Sequence, residues 1–279
     1  MYDEYTQWID DLTDLAEEAG EGILEYYQDA PIEALNISTK PDNTLLTEAD
    51  LCAHNIIFSG LQQLAPNIPV LSEEGEVESY LYRQYWERYW LIDPLDGTRG
   101  FVEQRDEFTV NIALIESHQP VIGIVYVPIE RVCYFAVKGQ GAFRKELGGE
   151  AEPIHARVFD WEEYRVLIGH YQRSPELLKL FESQPGCELL RVNSSLKFVK
   201  IAEGEGDCYP RFGDTSEWDT AAAQCVLEEA GGELIDFDGN SLQYNEKPSV
   251  INPSFLAMGD TSQTKKMIDL IKTHTGDEL

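Results

Sequence analysis

Positive charge is what this chain has least of. Its 279 residues carry 21 Lys+Arg against 51 Asp+Glu, a formal charge of −30. A field of that sign repels phosphate backbones and anionic lipid, which excludes a nucleic-acid polymer or a broad anionic-membrane surface as partner. The same field attracts divalent cations. Paired cysteines are also missing. The five present, Cys52, Cys133, Cys187, Cys208 and Cys225, are odd in number, widely spaced and free of any C-x-x-C pair. That argues against a disulfide framework or a zinc site and fits a reducing cytoplasm. No apolar run reaches the roughly 18 residues of a membrane helix, so no transmembrane segment is expected. The opening stretch, MYDEYTQWIDDLTDLAEEAGEG, lacks the basic and apolar regions of a signal peptide. Repeats and low-complexity tracts are absent.

What is there is globular: 43% of residues are hydrophobic and 26% charged. At about 150 residues per domain the length allows one large domain or two modest ones. Trp8, Leu12, Leu15, Ala19 and Ile23 recur at three- and four-residue spacing and predict an amphipathic helix. A second helix begins at Thr47, carries Ala53, Ile57, Leu61 and Leu64 on one face, and stops at Pro66. Residues 75–88 read as a loop or irregular helix. Four strands follow at 89–92, 108–115, 121–127 and 132–137, with short turns that predict an antiparallel meander packed on the two helices. From about residue 160 strands alternate with helices: extended at 165–169, 188–192, 207–211 and 233–237, helical from 174 and over 195–203, 218–230 and 265–272. The expected organisation is an α+β half over residues 1–155 and an α/β half over 156–279.

Three acidic spots carry the candidate chemistry. Asp93-Pro94-Leu95-Asp96-Gly97-Thr98 directly follows an apolar strand. Pro94 pushes Asp93 out of the helical region and Gly97 permits a sharp turn, so two carboxylates and the Leu95 carbonyl can converge on one cation. Magnesium favours such oxygen donors. Backbone N–H groups at Gly97 and Thr98 can cradle a phosphate if a helix begins there. The plain alternative is a polar turn. Glu73-Glu74 also ends an apolar run, although adjacent carboxylates are commonly solvated surface. Asp219 stands at a helix start, where an N-cap role accounts for it equally well. Thr47-x-x-Asp50 matches a capping box, which explains Asp50 without chemistry.

The joint order of these spots carries more than any one of them. Ser72-Glu73-Glu74, then Asp93 to Phe101, then Trp218-Asp219-Thr220-Ala221-Ala222 with Ala230-Gly231-Gly232 behind it resembles the inositol monophosphatase superfamily of metal-dependent, lithium-sensitive phosphatases. The resemblance spans most of the chain and implies a layered α-β-α-β-α sandwich of the sugar/inositol phosphatase type. Within the superfamily the chain is most similar to bacterial 3′(2′),5′-bisphosphate nucleotidases, through Pro69 to Glu74, Glu107 to Leu114, Ser194-Ser195-Leu196-Lys197-Phe198 and Tyr209-Pro210-Arg211-Phe212-Gly213. It implies removal of the 3′-phosphate of 3′-phosphoadenosine 5′-phosphate to leave AMP, with the sulfated analogue as second substrate. An inositol 1-phosphate or sugar-phosphate phosphatase is the alternative.

The resemblance assigns Glu73, Asp93, the Leu95 carbonyl, Asp96 and Asp219 as ligands of two Mg²⁺ ions, with Glu74 and Asp50 orienting water and a third, looser ion allowed for. Thr98, paired with Asp50, is the candidate that positions the attacking water, and Gly97 and Thr98 N–H groups hold phosphate oxygens. Ser194, Lys197 and Arg211 match the nucleotidase pattern around the second phosphate and the base. The implied partner is a small nucleotide, the location cytoplasmic or peripheral on the inner membrane's cytoplasmic face, and the oligomeric state is open. Arg99-Gly100 departs from the Lys-Glu frequent in bacterial relatives, so a contact made by that acid is expected to be missing.

Overall fold

The apolar period of the N-terminal segment becomes a long helix in the computed structural model, which describes residues 3–28, 37–40, 45–171 and 174–275. After a single turn, α1 (Asp3–Thr6), helix α2 (Ile9–Gln28) buries Leu12, Ala16, Ala19 and Ile23 and sets Asp10 and Asp11 in its first turn, where the helix dipole favours them. A short ladder, β1 (Ser38–Thr39) with β2 (Leu45–Leu46), leads to α3 (Glu48–Leu64). The expected capping box is present: the Asp50 carboxylate accepts the Thr47 N–H at 2.7 Å.

Next come β3 (Val70–Ser72), α4 (Tyr80–Arg83), β4 (Arg88–Asp96), α5 (Thr98–Val102), β5 (Thr109–Glu116), β6 (Gln119–Val127), β7 (Val132–Val137), β8 (Ala142–Glu146) and β9 (Ala151–Ile154). The seven strands pair in sequence order, β3 parallel to β4 and the rest antiparallel. The meander is as expected but two strands longer, because the charged, half-exposed run Phe143-Arg144-Lys145-Glu146 hides β8, and β9 beyond it forms the edge. Strand β4 also runs on through Asp93-Pro94 to Asp96, with a register break between Asp93 and Asp96. Such a bulge is where a strand tolerates proline. The irregular 75–88 stretch holds one helical turn, α4, anchored by buried Arg83, which donates to the Asn245 side chain and to the carbonyls of Lys247 (3.2 Å) and Pro248 (2.5 Å).

The second sheet is built from β10 (Tyr164–Ile168), α6 (Pro175–Glu182), β11 (Cys187–Arg191), α7 (Leu196–Ala202), β12 (Cys208–Arg211), a 3₁₀ turn Glu217–Asp219, α8 (Ala221–Glu229), β13 (Glu233–Asp236), β14 (Phe255–Met258) and α9 (Thr264–Thr275). Its order is β11-β10-β12-β14-β13. The alternation expected here holds through β12, with β10 parallel to both neighbours. Strand β14, unforeseen, inserts antiparallel between β12 and β13, so the sheet is mixed.

Side-chain parity sorts the layers. Trp90, Ile92, Val110, Ile112 and Leu114 face α2 and α3, whereas Leu91, Ala113 and Ile115 face α7 and α8. Leu167, Tyr209 and Ala257 meet α7 and α8 from the second sheet, and Val166, Ile168, Leu256 and Met258 face α6 and α9. The result is the α-β-α-β-α sandwich. Helix α8 lies so close on β6 that a Cβ at Gly123 would come 2.2 Å from the Ala222 carbonyl oxygen. Among the described residues no helix is long and apolar enough to cross a membrane.

Candidate active site

Parallel pairing brings the first two acidic spots together. Ser72 at the end of β3 lies opposite Ile92 on β4, and the Glu73 N–H donates to the Ile92 carbonyl at 3.2 Å. Glu73 and Asp93 therefore leave the carboxyl ends of neighbouring strands side by side. The third spot arrives from 3₁₀ turn 217–219. Here the expected N-cap is corrected: Ser216 caps the turn and Thr220 caps α8, while Asp219 is the third residue of the turn and its carboxylate accepts the Ser216 N–H at 2.9 Å. Ligand oxygens of Glu73, Asp93 and Asp219 all lie within 4.8 Å of one another.

This group fits a hard cation. Asp93 is 1% exposed, and its Oδ2 has no hydrogen-bond partner among the described residues. A buried carboxylate oxygen without a donor is costly, and here two further carboxylates face it. Burial, then the charge of Glu73, pushes the Asp93 carboxyl well above the ordinary carboxylate range. Asp219 is pushed up likewise, by burial and then by Asp96 and Glu73. The donor set is all oxygen, the chemistry of Mg²⁺ or Ca²⁺ rather than of a soft metal.

Asp96 and Glu74 are held apart from that group. Asp96 Oδ2 accepts the Ser195 N–H at 2.6 Å. Burial raises its carboxyl to about 6 against the lowering effects of Lys197 and that N–H. Glu74 is turned to Lys40, whose Nζ lies 2.7 Å from Oε1 of both Glu73 and Glu74. Burial still pushes Glu74 up to about 7. Lys40 is a site residue that sequence reasoning missed. Nothing local marks it; only the β1–β2 ladder carries its ammonium to the carboxylates.

The hydroxyl of Thr98 stands between two acceptors, 3.0 Å from Asp50 Oδ1 and 3.2 Å from the Leu95 carbonyl oxygen. Asp50 is fully buried and takes the Thr47 hydroxyl (2.6 Å) as well as its N–H. The residue therefore serves as cap and as Thr98 partner at once. Helix α5 begins at Thr98, with Gly97 in the left-handed region (φ 100°) as its cap. A Cβ at Gly97 would come 3.0 Å from the Glu107 carbonyl oxygen, so glycine is needed on both counts.

A cavity of about 530 Å³ opens beside these groups, lined by Asp96, Gly97 and Asp219 together with Ser194, Lys197 and Arg211. Lys197 is 6% exposed rather than solvated. Its Nζ donates to the Ser194 carbonyl at 2.5 Å and lies 4.9 Å from the Tyr209 ring centroid. Burial lowers its ammonium to about 8, with Asp96 opposing. Arg211 is aimed by bonds to Thr215 Oγ1 and the Asp214 carbonyl, both 2.8 Å. Arg99 stacks over Tyr171, 4.0 Å from the ring centroid, on the same wall. Asn193 Nδ2, buried with no partner among the described residues, would lie 3.3 Å from a Cβ at Gly100. His170 does not line the cavity; it pairs with Glu107 at 3.1 Å.

The model of the inositol monophosphatase family matches residues 4–274. The chain is 40% identical over 247 residues to the 3′(2′),5′-bisphosphate nucleotidase CysQ of Salmonella typhimurium, covering 88% of this chain and 98% of that one. Its counterpart in Escherichia coli K12 is 39% identical over the same length. A crystal structure of CysQ from Bacteroides thetaiotaomicron superposes with TM-score 0.77 at 35% identity, over 90% of this chain and 97% of that chain. The inositol monophosphatase of Anabaena, 23% identical with TM-score 0.78 over 97% of each chain, shares the fold. On its sequence, its layers and its carboxylate-lined cavity alike, this chain belongs to the inositol monophosphatase family.

Proposed function

We propose that this chain is a Mg²⁺-dependent 3′(2′),5′-bisphosphate nucleotidase that hydrolyses the 3′-phosphate of 3′-phosphoadenosine 5′-phosphate to AMP, and acts likewise on the sulfated analogue. The observation that carries the reading is one cavity lined by charges of both signs: Asp96 and Asp219 together with Lys197 and Arg211. A nucleotide with two phosphates needs both, and inositol 1-phosphate has no second phosphate for the cations. The kinship with CysQ proteins points the same way.

Glu73, Asp93, the Leu95 carbonyl, Asp96 and Asp219 would hold two Mg²⁺ ions, and a third would be held more loosely. Bound there, magnesium supplies the positive field that lets a dianionic phosphate approach and lets water attack at neutral pH. The chain's own groups do the rest. Asp50 holds the Thr98 hydroxyl, which positions the attacking water; a threonine hydroxyl is far too weak an acid to serve as a free base itself. Glu74 orients a second water. Gly97 and Thr98 N–H groups hold phosphate oxygens, and Ser194, Lys197 and Arg211 hold the second phosphate and the nucleoside. Water attacks phosphorus in line, the ester oxygen leaves with a proton, and no phosphoenzyme forms. The odd, unpaired cysteines fit work in the cytoplasm.

Phosphate release with Mg²⁺ tests this, comparing 3′-phosphoadenosine 5′-phosphate, inositol 1-phosphate and fructose 1,6-bisphosphate at equal concentration. The nucleotide is expected to be strongly preferred, and Asp96→Asn to abolish release. Preference for inositol 1-phosphate would overturn the substrate and the roles of Lys197 and Arg211.

A further inference from the structure

One peptide group stands between Lys197 and Asp96. The carbonyl of Ser194 accepts the Lys197 ammonium at 2.5 Å, and the N–H of the same peptide unit, on Ser195, donates to Asp96 Oδ2 at 2.6 Å. The unit is turned this way because Ser194 adopts the left-handed region, φ 52°, unusual for a residue other than glycine. Such strain persists only where the surroundings over-determine it.

The surroundings here are a closed ring of side-chain bonds. Thr109 Oγ1 lies 2.7 Å from Ser195 Oγ, Ser195 Oγ donates to Asn111 Oδ1 at 2.7 Å, and Asn111 Nδ2 reaches back to Thr109 Oγ1 at 3.5 Å. All three residues are essentially fully buried. Thr109 and Asn111 sit on β5 opposite Asp96 and Asp93. The ring therefore fixes Ser195 to the strand pair that carries the carboxylates, while α7 beyond Ser195 carries Lys197. Bonds in such a chain polarise one another, so a change at one end is felt at the other.

We infer that the peptide unit 194–195 couples cation binding at Asp96 to anion binding at Lys197, and that Ser195 is the positioning residue that holds it in place. When a phosphate draws Lys197 away from the Ser194 carbonyl, the Ser195 N–H becomes a weaker donor. Asp96 is then freer to give its electron pair to a metal. The inference rests on the roles proposed for Asp96 and Lys197, and extends them to a residue that touches neither ligand.

The test is calorimetric titration of the full chain with Mg²⁺, alone and with saturating AMP. In the wild type, AMP is expected to tighten Mg²⁺ binding about fivefold or more. Ser195→Ala keeps the N–H but opens the ring; it should weaken Mg²⁺ about tenfold and cut the AMP effect below about twofold. Thr109→Val, nearly isosteric, should do the same, and Thr109→Ser should restore wild-type behaviour. The Thr109 pair decides the matter if Ser195→Ala does not fold. A wild type without coupling, or folded Ser195→Ala and Thr109→Val proteins that keep both affinity and coupling, would overturn the inference. Phosphate release by the wild type reports separately on the proposed activity, so the two can fail independently.

Discussion

The carboxylate wall and the cationic wall meet at Asp96, and they are held in opposite ways. Lys197 and Arg211 are each anchored inside the protein, by the Ser194 carbonyl, Thr215 and the Asp214 carbonyl. Asp93 and Asp219 crowd against Glu73 with an Asp93 oxygen unpartnered among the described residues. One wall is thus anchored as folded, and the other leaves a buried carboxylate oxygen open to a cation. The electrostatic cost of the second is carried by the core around it, where β4 and β5 are buried on both faces.

The sharpest way to break this contrast is to neutralise the open wall. Asp93→Asn is expected to lower phosphate release about 10³-fold, the several kcal/mol that a metal site supplies in the transition state. In metal-free buffer the same variant should unfold later than the wild type, by about 1 kcal/mol, since it removes a repulsion. Phosphate assays and thermal melts in chelator check the two halves. A variant both inactive and less stable would mean that the carboxylates are not in conflict.

On the anchored wall, Lys197→Ala should raise KM for the bisphosphate about 30-fold, near 2 kcal/mol for a truncated buried charge contact. The effect on inositol 1-phosphate should be much smaller. Steady-state kinetics on both substrates separate these, and equal effects would remove the assignment.

Acidity should move the walls apart. Asp96 titrates near 6 and Glu74 near 7, each raised by burial above its ordinary value. Protons compete with Mg²⁺, so its affinity should fall about tenfold between pH 7 and pH 5 from Asp96 alone. The metal-free protein should behave the other way. Folded pKa values above the unfolded ones mean that these groups add stability as pH falls through about 7 and 6 toward the ordinary range near 4. Calorimetric titrations and metal-free melts over that window test both signs. The smallest effect concerns the whole surface: at a charge of −30, screening by molar KCl should raise Tm by a few degrees. A flat response would show that self-repulsion contributes nothing measurable.

Much of this was legible because it is local. Helices α2 and α3 follow from three- and four-residue apolar spacing, the Thr47–Asp50 capping box from four residues in a row, and the meander from period-two strands between turn residues. Strand β14 was not legible. Phe255-Leu256-Ala257-Met258 is a short apolar run at the middle of a sheet, and neither its strand character nor its antiparallel insertion is written in its neighbours. Strand β8 was hidden by its charges. Asp219 was identified as an acid of interest, yet its place in the turn was not, because a capping box and an N-cap differ by three residues of the same composition.

By itself the sequence determined the charge balance, the order of helices and strands over most of the chain, and the three acidic motifs. All of these are read within a few residues, where backbone propensity and side-chain period act. Only the tertiary structure decided that Glu73 and Asp93 end adjacent parallel strands, and that Asp219 closes on them from more than a hundred residues away. The same holds for Lys40 beside Glu73 and Glu74, and for one peptide bridging Lys197 and Asp96. Those juxtapositions depend on which strands pair and which helices fill the middle layer. Burial of the whole core selects that arrangement, and no local stretch of residues can.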